Sequence, residues 1–289
     1  MIYKKIEKRT SVRTFQIKPL TEVDKLWIRQ TIEEISKEKG PFRNQIHFRL
    51  LNADPNKSGK PVGTYGLIKN AQSYITGVIP NSDDQLCDFG YLMEKIIIRL
   101  TGKNIGTCWL GGTFKRENFK EALTVKEGYI IPAVVPVGYA MDSRSSVEKA
   151  MRLFAKSNSR QDWSQLFFLS DFDTPLEKEE HKNEIGNLTD AFESVRLAPS
   201  ASNKQPWKMV LDFEKSNVYV YINENPNYSG NKMGFKMQRI DAGIALYHFE
   251  AIAKENGING EWEFNIPSVK VPSENYQYIA TYHFDRQST

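Results

Sequence analysis

The sequence predicts an α+β chain made of two diverged copies of one unit, and three observations carry that reading. The first is a set of landmarks that recurs at an offset of 153: Asp88 with Asp241, Gly90 with Gly243, Ile105 with Ile258 and Trp109 with Trp262. The second is that apolar Leu92, Met93, Ile96 and Leu100 then fall on Ala245, Leu246, Phe249 and Ala253, so both copies keep a helix, a glycine-containing exit and a Trp strand. The third is the stretch Arg196-Leu-Ala-Pro-Ser-Ala-Ser-Asn-Lys-Gln-Pro-Trp207. There two prolines bracket small hydroxyl and amide residues, so a stiff polar loop separates a helix from a strand.

Taken in order, residues 2–8 form a short helix with Ile2 and Ile6 on one side, which delivers Arg9, Ser11 and Arg13 into the following loop. Thr21 is an N-cap with Asp24 three residues on, and the helix it opens carries Val23, Leu26, Trp27 and Ile35 as far as Gly40. Residues 47–52 and 73–80 read as strands, with Gly59 to Gly66 a loop between them. From Asp83 to Thr101 an apolar face of Leu86, Phe89, Leu92, Met93, Ile96, Ile97 and Leu100 predicts a buried helix closed by Gly102. Tyr129 to Tyr139 contains one or two buried strands. Residues 142–189 read as a polar junction with helices around Val147 to Ala155 and Glu177 to Asn187, in which Trp163, Leu166, Phe167 and Phe168 require burial. Lys208 to Leu211 continues the polar loop as a strand, and Trp262 to Ile266 and Tyr276 to Phe284 are strands of the tail. The expected halves are 1–165 and 166–289, packed as one unit.

With 40% hydrophobic and 12% aromatic residues, the 289-residue chain can bury a substantial core. The net charge is +4, but 39 Lys and Arg alternate with 35 Asp and Glu throughout, which argues against a nucleic-acid footprint. Cys87 and Cys108 form no C-x-x-C pair and suit a reducing compartment. The N-terminus has no apolar leader, and the longest apolar run, Tyr129 to Met141, is broken by Pro132 and Pro136. The expectation is a soluble, cytoplasmic protein with no membrane association. His47, His181, His248 and His283 lack metal-ligand spacing, so no metal is expected.

Three stretches can carry chemistry. Ser200, Ser202, Asn203 and Gln205 offer several hydrogen bonds to a planar polar ligand, although a capped helix exit before a buried Trp explains the same residues. Arg9, Ser11 and Arg13 share a face if the segment is extended, and two guanidinium groups with a hydroxyl suit a phosphate. A basic loop held by surface ion pairs is the alternative. In Ile105-Gly-Thr-Cys-Trp-Leu-Gly-Gly112, the glycines permit close backbone approach beside a large aromatic, yet neither the dinucleotide fingerprint nor a P-loop is present. A glycine-rich strand connection would look the same.

Together these stretches resemble three signatures of the nitroreductase-like FMN oxidoreductases. Ala198 to Trp207 is similar to A-P-S-x-x-N-x-Q-P-W, Arg9 to Phe15 to R-R-S-V-R-x-F, and Ile105 to Gly112 to L-G-x-G-x-x-W-x-G. The resemblance implies a nitroreductase-like fold of mainly antiparallel sheets flanked by helices. In common members the A-P-S loop lies between the other two motifs and two subunits share each flavin; here it comes last. With the repeat, that order implies a single-chain variant of two fused halves, an internal pseudo-dimer. The first half keeps the Arg9 and Trp109 motifs but has only Gly40-Pro-Phe-Arg-Asn-Gln45 in place of the A-P-S loop. The second keeps that loop but has lost the paired glycines after Trp262.

The implied cofactor is FMN, bound without a covalent link. Arg9, Ser11, Arg13 and Arg160 would take its phosphate, ribityl or pyrimidine end, although a family lysine two places before Arg160 is Asn158 here. Trp109, Leu110, Gly111 and Gly112 would line flavin N5 and the ring, and Pro199, Ser200, Ser202, Asn203 and Gln205 would close the site from the other half. No side chain stands out as a general base or nucleophile, which fits chemistry carried by the flavin. The implied activity is reduction of nitroaromatic or quinone-like acceptors with NAD(P)H as donor. The alternatives are another flavin chemistry of the same superfamily, a flavin-binding module without turnover, and a ligand-free interaction protein. Either a monomer or a homodimer is compatible with the fused halves.

Overall fold

A computed structural model describes residues 1–52, 64, 66–120, 122–141, 159–225 and 233–285. Its centre is the crossing of two long helices, α3 (Asp83–Gly102) and α8 (Gln238–Glu255). Helix α3 is started by the Ser82 hydroxyl, which accepts the Gln85 N–H, and by Asp83 and Asp84 in its first turn, where acidic groups favour the helix dipole. Most of its length is buried, and α8 is buried without a break from Gln238 to Glu250. A helix that is apolar all round belongs between layers.

The crossing is reciprocal. A Cβ on Gly90 would overlap the Ile240 carbonyl oxygen, and one on Gly243 would overlap the carbonyl oxygen of Cys87. Cys87 and Ile240 stand 153 residues apart, as do Gly90 and Gly243, so each helix presents the same patch to the other. That is the signature of an isologous, twofold contact, here within one chain. Asn81 Nδ2 donates to Gly234 O at 3.0 Å, again between residues 153 apart, as expected beside a twofold axis.

Each half builds one sheet around this pair. The first has strands β1 (Phe48–Asn52), β2 (Ser73–Gly77), β4 (Ile105–Thr107) and β6 (Val135–Tyr139) in the order β1-β2-β6-β4, all antiparallel. The second has β8 (Trp207–Asp212), β9 (Asn217–Asn223), β10 (Gly260–Glu263) and β11 (Tyr276–Phe284) in the matching order β8-β9-β11-β10. A short strand β7 (Phe167–Leu169) adds to it in parallel beside β8. Strands β3 (Ile79–Pro80) and β5 (Tyr129–Ile130) pair separately, so Tyr129 to Tyr139 holds two strands. Helix α1 (Ile2–Lys8) leads into the N-terminal motif, and α2 (Glu22–Ser36) is capped by Thr21 Oγ1, which accepts the Asp24 N–H at 3.1 Å. Short helix α4 (Glu117–Lys120) lies between β4 and β6, and α5 (Trp163–Leu166) follows the first sheet; α6 (Lys178–Ile185) and α7 (Thr189–Leu197) precede the polar loop.

Four expectations need correction or lie out of view. Helix α2 stops at Ser36, and Gly40 serves another purpose: a Cβ there would collide with the Asp88 carboxylate. The strand expected over Trp262 to Ile266 is β10, Gly260 to Glu263, because its register is set by pairing with Glu263↔Thr281 at one end and Gly260↔Phe284 at the other. The Gly59 to Gly66 loop falls largely, and the Val147 to Ala155 helix wholly, outside the described residues.

If the Gly90 and Gly243 contact sets the spacing of α3 and α8, Gly90→Ala should cost about 3 kcal/mol in urea unfolding, since backbone on the opposing helix cannot yield as a side chain can. A loss below about 1 kcal/mol, the ordinary surface range, would show that the crossing is not tight there.

Candidate cofactor site

The N-terminal motif and the glycine motif are neighbours. Val12 donates its N–H to Thr107 O at 2.8 Å, Ser11 bridges Thr107 in parallel, and Gly106 leaves room for the Val12 side chain. Ser11 and Val12 therefore lie beside the end of β4, whose exit is Cys108 to Gly112, while Thr14 bridges Lys69 and Phe15 bridges Ala140. Arg13 is fixed through its carbonyl, which accepts the Lys69 N–H, and its Nη1 is buried without a hydrogen-bond partner among the described residues. A guanidinium nitrogen in that state is a strong donor lacking an acceptor.

Arg9 is placed differently. Its side chain is 7% exposed, and Nε lies 4.0 Å from Glu94 Oε1. Glu94, fully buried on α3, also accepts Trp109 Nε1 at 2.7 Å and faces His248 Nε2 at 3.1 Å, while His248 Nδ1 donates to Ser194 O at 2.8 Å. Burial by itself would raise the Glu94 carboxyl, but the His248 and Trp109 hydrogen bonds and the Arg9 charge outweigh it and hold the group below its ordinary value. One buried carboxylate thus ties the N-terminal motif, the Trp of the glycine motif and α8 of the other half.

After Trp109, the backbone of Leu110 is closed in a two-way bridge with Val134. Gly111 and Gly112 come next, and their N–H groups take no partner among the described residues. A Cβ on Gly111 would lie 2.8 Å from Met237 Sδ, and one on Gly112 2.8 Å from Met233 Cε. The turn therefore faces the flexible thioether ends of two residues at the start of α8. Arg116 holds it from behind: Nη2 donates to Gly111 O at 2.6 Å and to Pro132 O, Nε to Ile131 O, and the guanidinium stacks on Phe114 and on Phe235 of the second half.

The polar loop is built from the second half. Ser202, Asn203 and Gln205 all have positive φ, of 53°, 54° and 48°, although none is glycine. Each such conformation costs about 1 kcal/mol or more and persists only where neighbours over-determine it. Those neighbours are on hand. Gln205, 1% exposed, donates Nε2 to Arg196 O at 2.9 Å and accepts the Gln161 N–H at 2.8 Å, and its own N–H goes to Ser200 Oγ at 2.8 Å. Arg160 donates to Asn203 Oδ1 at 2.6 Å and to Leu197 O, and Asn203 Nδ2 donates to Ser159 O. Ser202 is exposed, while Pro199 and Ser200 are half-buried.

The loop reaches the glycine turn by way of α8. Asp241 Oδ1 accepts the Ala201 N–H at 3.0 Å, and Met237, which meets Gly111, lies one turn earlier on the same helix, an advance of about 6 Å. The expected site residues thus fall in two groups, Arg9 to Arg13 with Trp109 to Gly112, and Arg160 with Pro199 to Gln205, joined through Met237 and Asp241. Among the described residues no hydrogen bond links the two groups directly. Glu94, Arg116, Met233, Met237 and His248 were not legible as site residues; Asp241 was marked in the sequence by its repeat partner, Asp88.

The symmetry-related position is degenerate in all three parts. Helices α6 and α7 are joined by the single turn Gly186–Leu188, which leaves no segment equivalent to Arg9 to Phe15. Phe264 stands where Gly111 does in the first half, 153 residues on, and its ring packs on Phe42 of the Gly40 to Gln45 loop with centroids 4.5 Å apart.

Two similar sheets around a reciprocal helix crossing define a nitroreductase fold in which a single polypeptide supplies both partners. A family model described as "Putative TM nitroreductase" matches residues 1–253, and the chain belongs to that family. Among solved structures, a "putative nitroreductase" from Thermotoga maritima shares the fold with a TM-score of 0.56 and 20% identity, over 98% of this chain and 92% of that one. A nitroreductase family protein from Clostridium novyi matches at a TM-score of 0.40 and 22% identity, over 52% of this chain and 90% of that one. A nitroreductase with bound FMN from Desulfitobacterium hafniense matches at 0.41 and 19%, over 50% and 92%. No curated protein matches the chain. Among the described residues no helix is long and apolar enough to cross a membrane.

Burial raises the Asp241 carboxyl to about 7, against the lowering effect of the Ala201 N–H. Its folded pKa lies above the unfolded carboxylate value of about 4, so its contribution to stability is full below about pH 4 and is lost as pH rises through about 7. Asp241→Asn, which keeps an acceptor for Ala201, should therefore stabilise the chain by a few kcal/mol at about pH 8 and hardly at all near pH 4. Urea unfolding at the two pH values checks this; an equal difference at both would show that Asp241 is not held protonated.

Proposed function

We propose that the chain binds one FMN at the junction of its halves, divided near residue 165, and acts as an oxidoreductase that passes electrons from NAD(P)H to an electron-poor acceptor such as a nitroaromatic or a quinone. The observation that carries this reading is coherence: the three motif regions that survive belong to one side of the pseudo-twofold, and the three that have decayed belong to the other. Random loss in two halves would have left parts on both sides.

The residues fit such a group. Arg13 has a buried guanidinium nitrogen without an acceptor, which a phosphate oxygen would satisfy, and Ser11 lies on the same extended segment. Among the described residues the N–H groups of Gly111 and Gly112 take no partner, and a Cβ on Gly111 would meet the end of Met237 and one on Gly112 that of Met233. Ser200, Ser202 and Asn203 present the loop from the other half. When bound, the flavin supplies hydride and electron transfer at N5, beyond what any side chain here can do. The protein's own part is to bind and orient. On this reading Arg9 acts by positioning Trp109 through Glu94, Arg160 and Gln205 act by holding the strained loop, and Leu110 anchors the turn to Val134. Arg116 joins them as a brace on Gly111.

In flavin titration of the FMN-free chain, Arg13→Ala should weaken binding by on the order of 10- to 100-fold, the loss of a charge-assisted contact. Unchanged affinity in a folded variant would remove Arg13 from the site. Saturation should occur at one flavin per chain; two per chain would contradict the decayed half. Anaerobic NADH or NADPH should bleach the flavin band, whereas a passive flavin binder would stay yellow.

A further inference from the structure

Asp88 and Asp241 occupy the same position in the two repeats, and each anchors a loop, but only Asp88 is fully used. Asp88 Oδ1 accepts the Phe42 N–H at 3.0 Å, and Oδ2 accepts both the N–H and Nδ2 of Asn44 at 2.9 Å. Asp241 Oδ1 accepts the Ala201 N–H, and its Oδ2 is buried with no hydrogen-bond partner among the described residues. The asparagine of the second loop does not replace Asn44, because Asn203 is committed to Arg160 and Ser159. A buried carboxylate oxygen without a donor is costly, and its twin shows that the fold can satisfy it.

Beside Asp241 the second half has a partly open cavity of about 230 Å³, whose walls include Gln161, Ala201, Lys204, Gln205 and Lys208 together with Asp241 itself. None of Arg9 to Arg13 or Trp109 to Gly112 lines it, but Ala201 and Gln205 belong to the polar loop of the flavin reading, so titration with FMN is what separates the two. Lys208 donates from Nζ to Gln165 O and stands 3.5 Å from Gln161 Oε1, and an ammonium has three donors to give. Desolvation lowers this lysine to about 8. Two lysines disfavour a cationic ligand, and the unshared oxygen of Asp241 disfavours an anionic one.

We propose that this cavity binds a small neutral ligand carrying an N–H beside a carbonyl, a carboxamide or a lactam ring, with the N–H given to Asp241 Oδ2 and the carbonyl facing the Lys208 ammonium. The ligand thereby takes the part that Asn44 plays for Asp88. Donor and acceptor on one planar group also explain why both a carboxylate and a lysine line a cavity of this size.

The test is calorimetric titration of the full chain at about pH 8, above the Asp241 value of about 7 so that Oδ2 is an ionised acceptor, with nicotinamide, a carboxamide, and with uracil, a lactam, each with and without saturating FMN. At least one probe should bind with a Kd at or below about 1 mM, a modest affinity for so few atoms. Asp241→Asn, which puts a donor where Oδ2 stood, and Lys208→Met should each weaken that probe by about 10-fold or more. A preference for nicotinamide over uracil, or the reverse, tells the two chemical sources apart. The proposal is overturned if neither probe binds at about 10 mM, if binding is the same in both folded variants, or if FMN displaces the probe, which would make the cavity part of the flavin site. Circular dichroism and urea unfolding confirm that each variant is folded before its titration is read.

Discussion

The close crossing of α3 and α8 is the constraint from which the rest follows. Glycine at 90 and 243 lets each helix backbone touch the other, and the reciprocity of those contacts makes the interface self-complementary. Everything that either half contributes to a shared site hangs from these helices. Asp88 and Asp241 hold the two loops, Glu94 and His248 meet across the crossing, and Met237 faces the glycine turn from the start of α8. A shift of a few ångströms between the helices would separate both groups of site residues at once.

Fusing two halves removes a restriction that a true dimer obeys. In a symmetric dimer every substitution appears at both sites, so neither site can decay alone. In one chain the halves can diverge, and here they have. One junction keeps glycines, a basic segment and a polar loop; the other has Phe42 against Phe264 and a single turn between α6 and α7. The aromatic pair fills space that the glycine turn leaves open, which stabilises the interface where no ligand is needed.

Backbone strain is heavier in the polar loop than in its counterpart, Gly40 to Gln45, where only Arg43 has positive φ. Three non-glycine residues hold positive φ in the loop, and Glu94 is fully buried with three polar partners from three separate segments. Such networks fix geometry more than they add stability, because the desolvation of each charge offsets much of its attraction. Holding Trp109 in one orientation beside the Gly111–Gly112 turn is a use for that expense of folding free energy.

Local spacing in the sequence determined the helices and strands, the Thr21 cap, the stiffness of the loop between Pro199 and Pro206, and the repeat marked by Asp88, Gly90 and their partners. These are properties of neighbouring residues, and backbone preference and apolar periodicity act over a few residues at a time. The same logic misread Gly40 as a helix stop, because the reason for that glycine is the Asp88 carboxylate 48 residues on. Only the tertiary structure decided that Arg9 faces Glu94 while Arg13 keeps an unpartnered nitrogen, that Gln205 turns inward, and that Asp241 is left half-satisfied beside a cavity. Each of these depends on where separate elements cross, and contacts between residues tens to hundreds of positions apart leave no period in the chain to read.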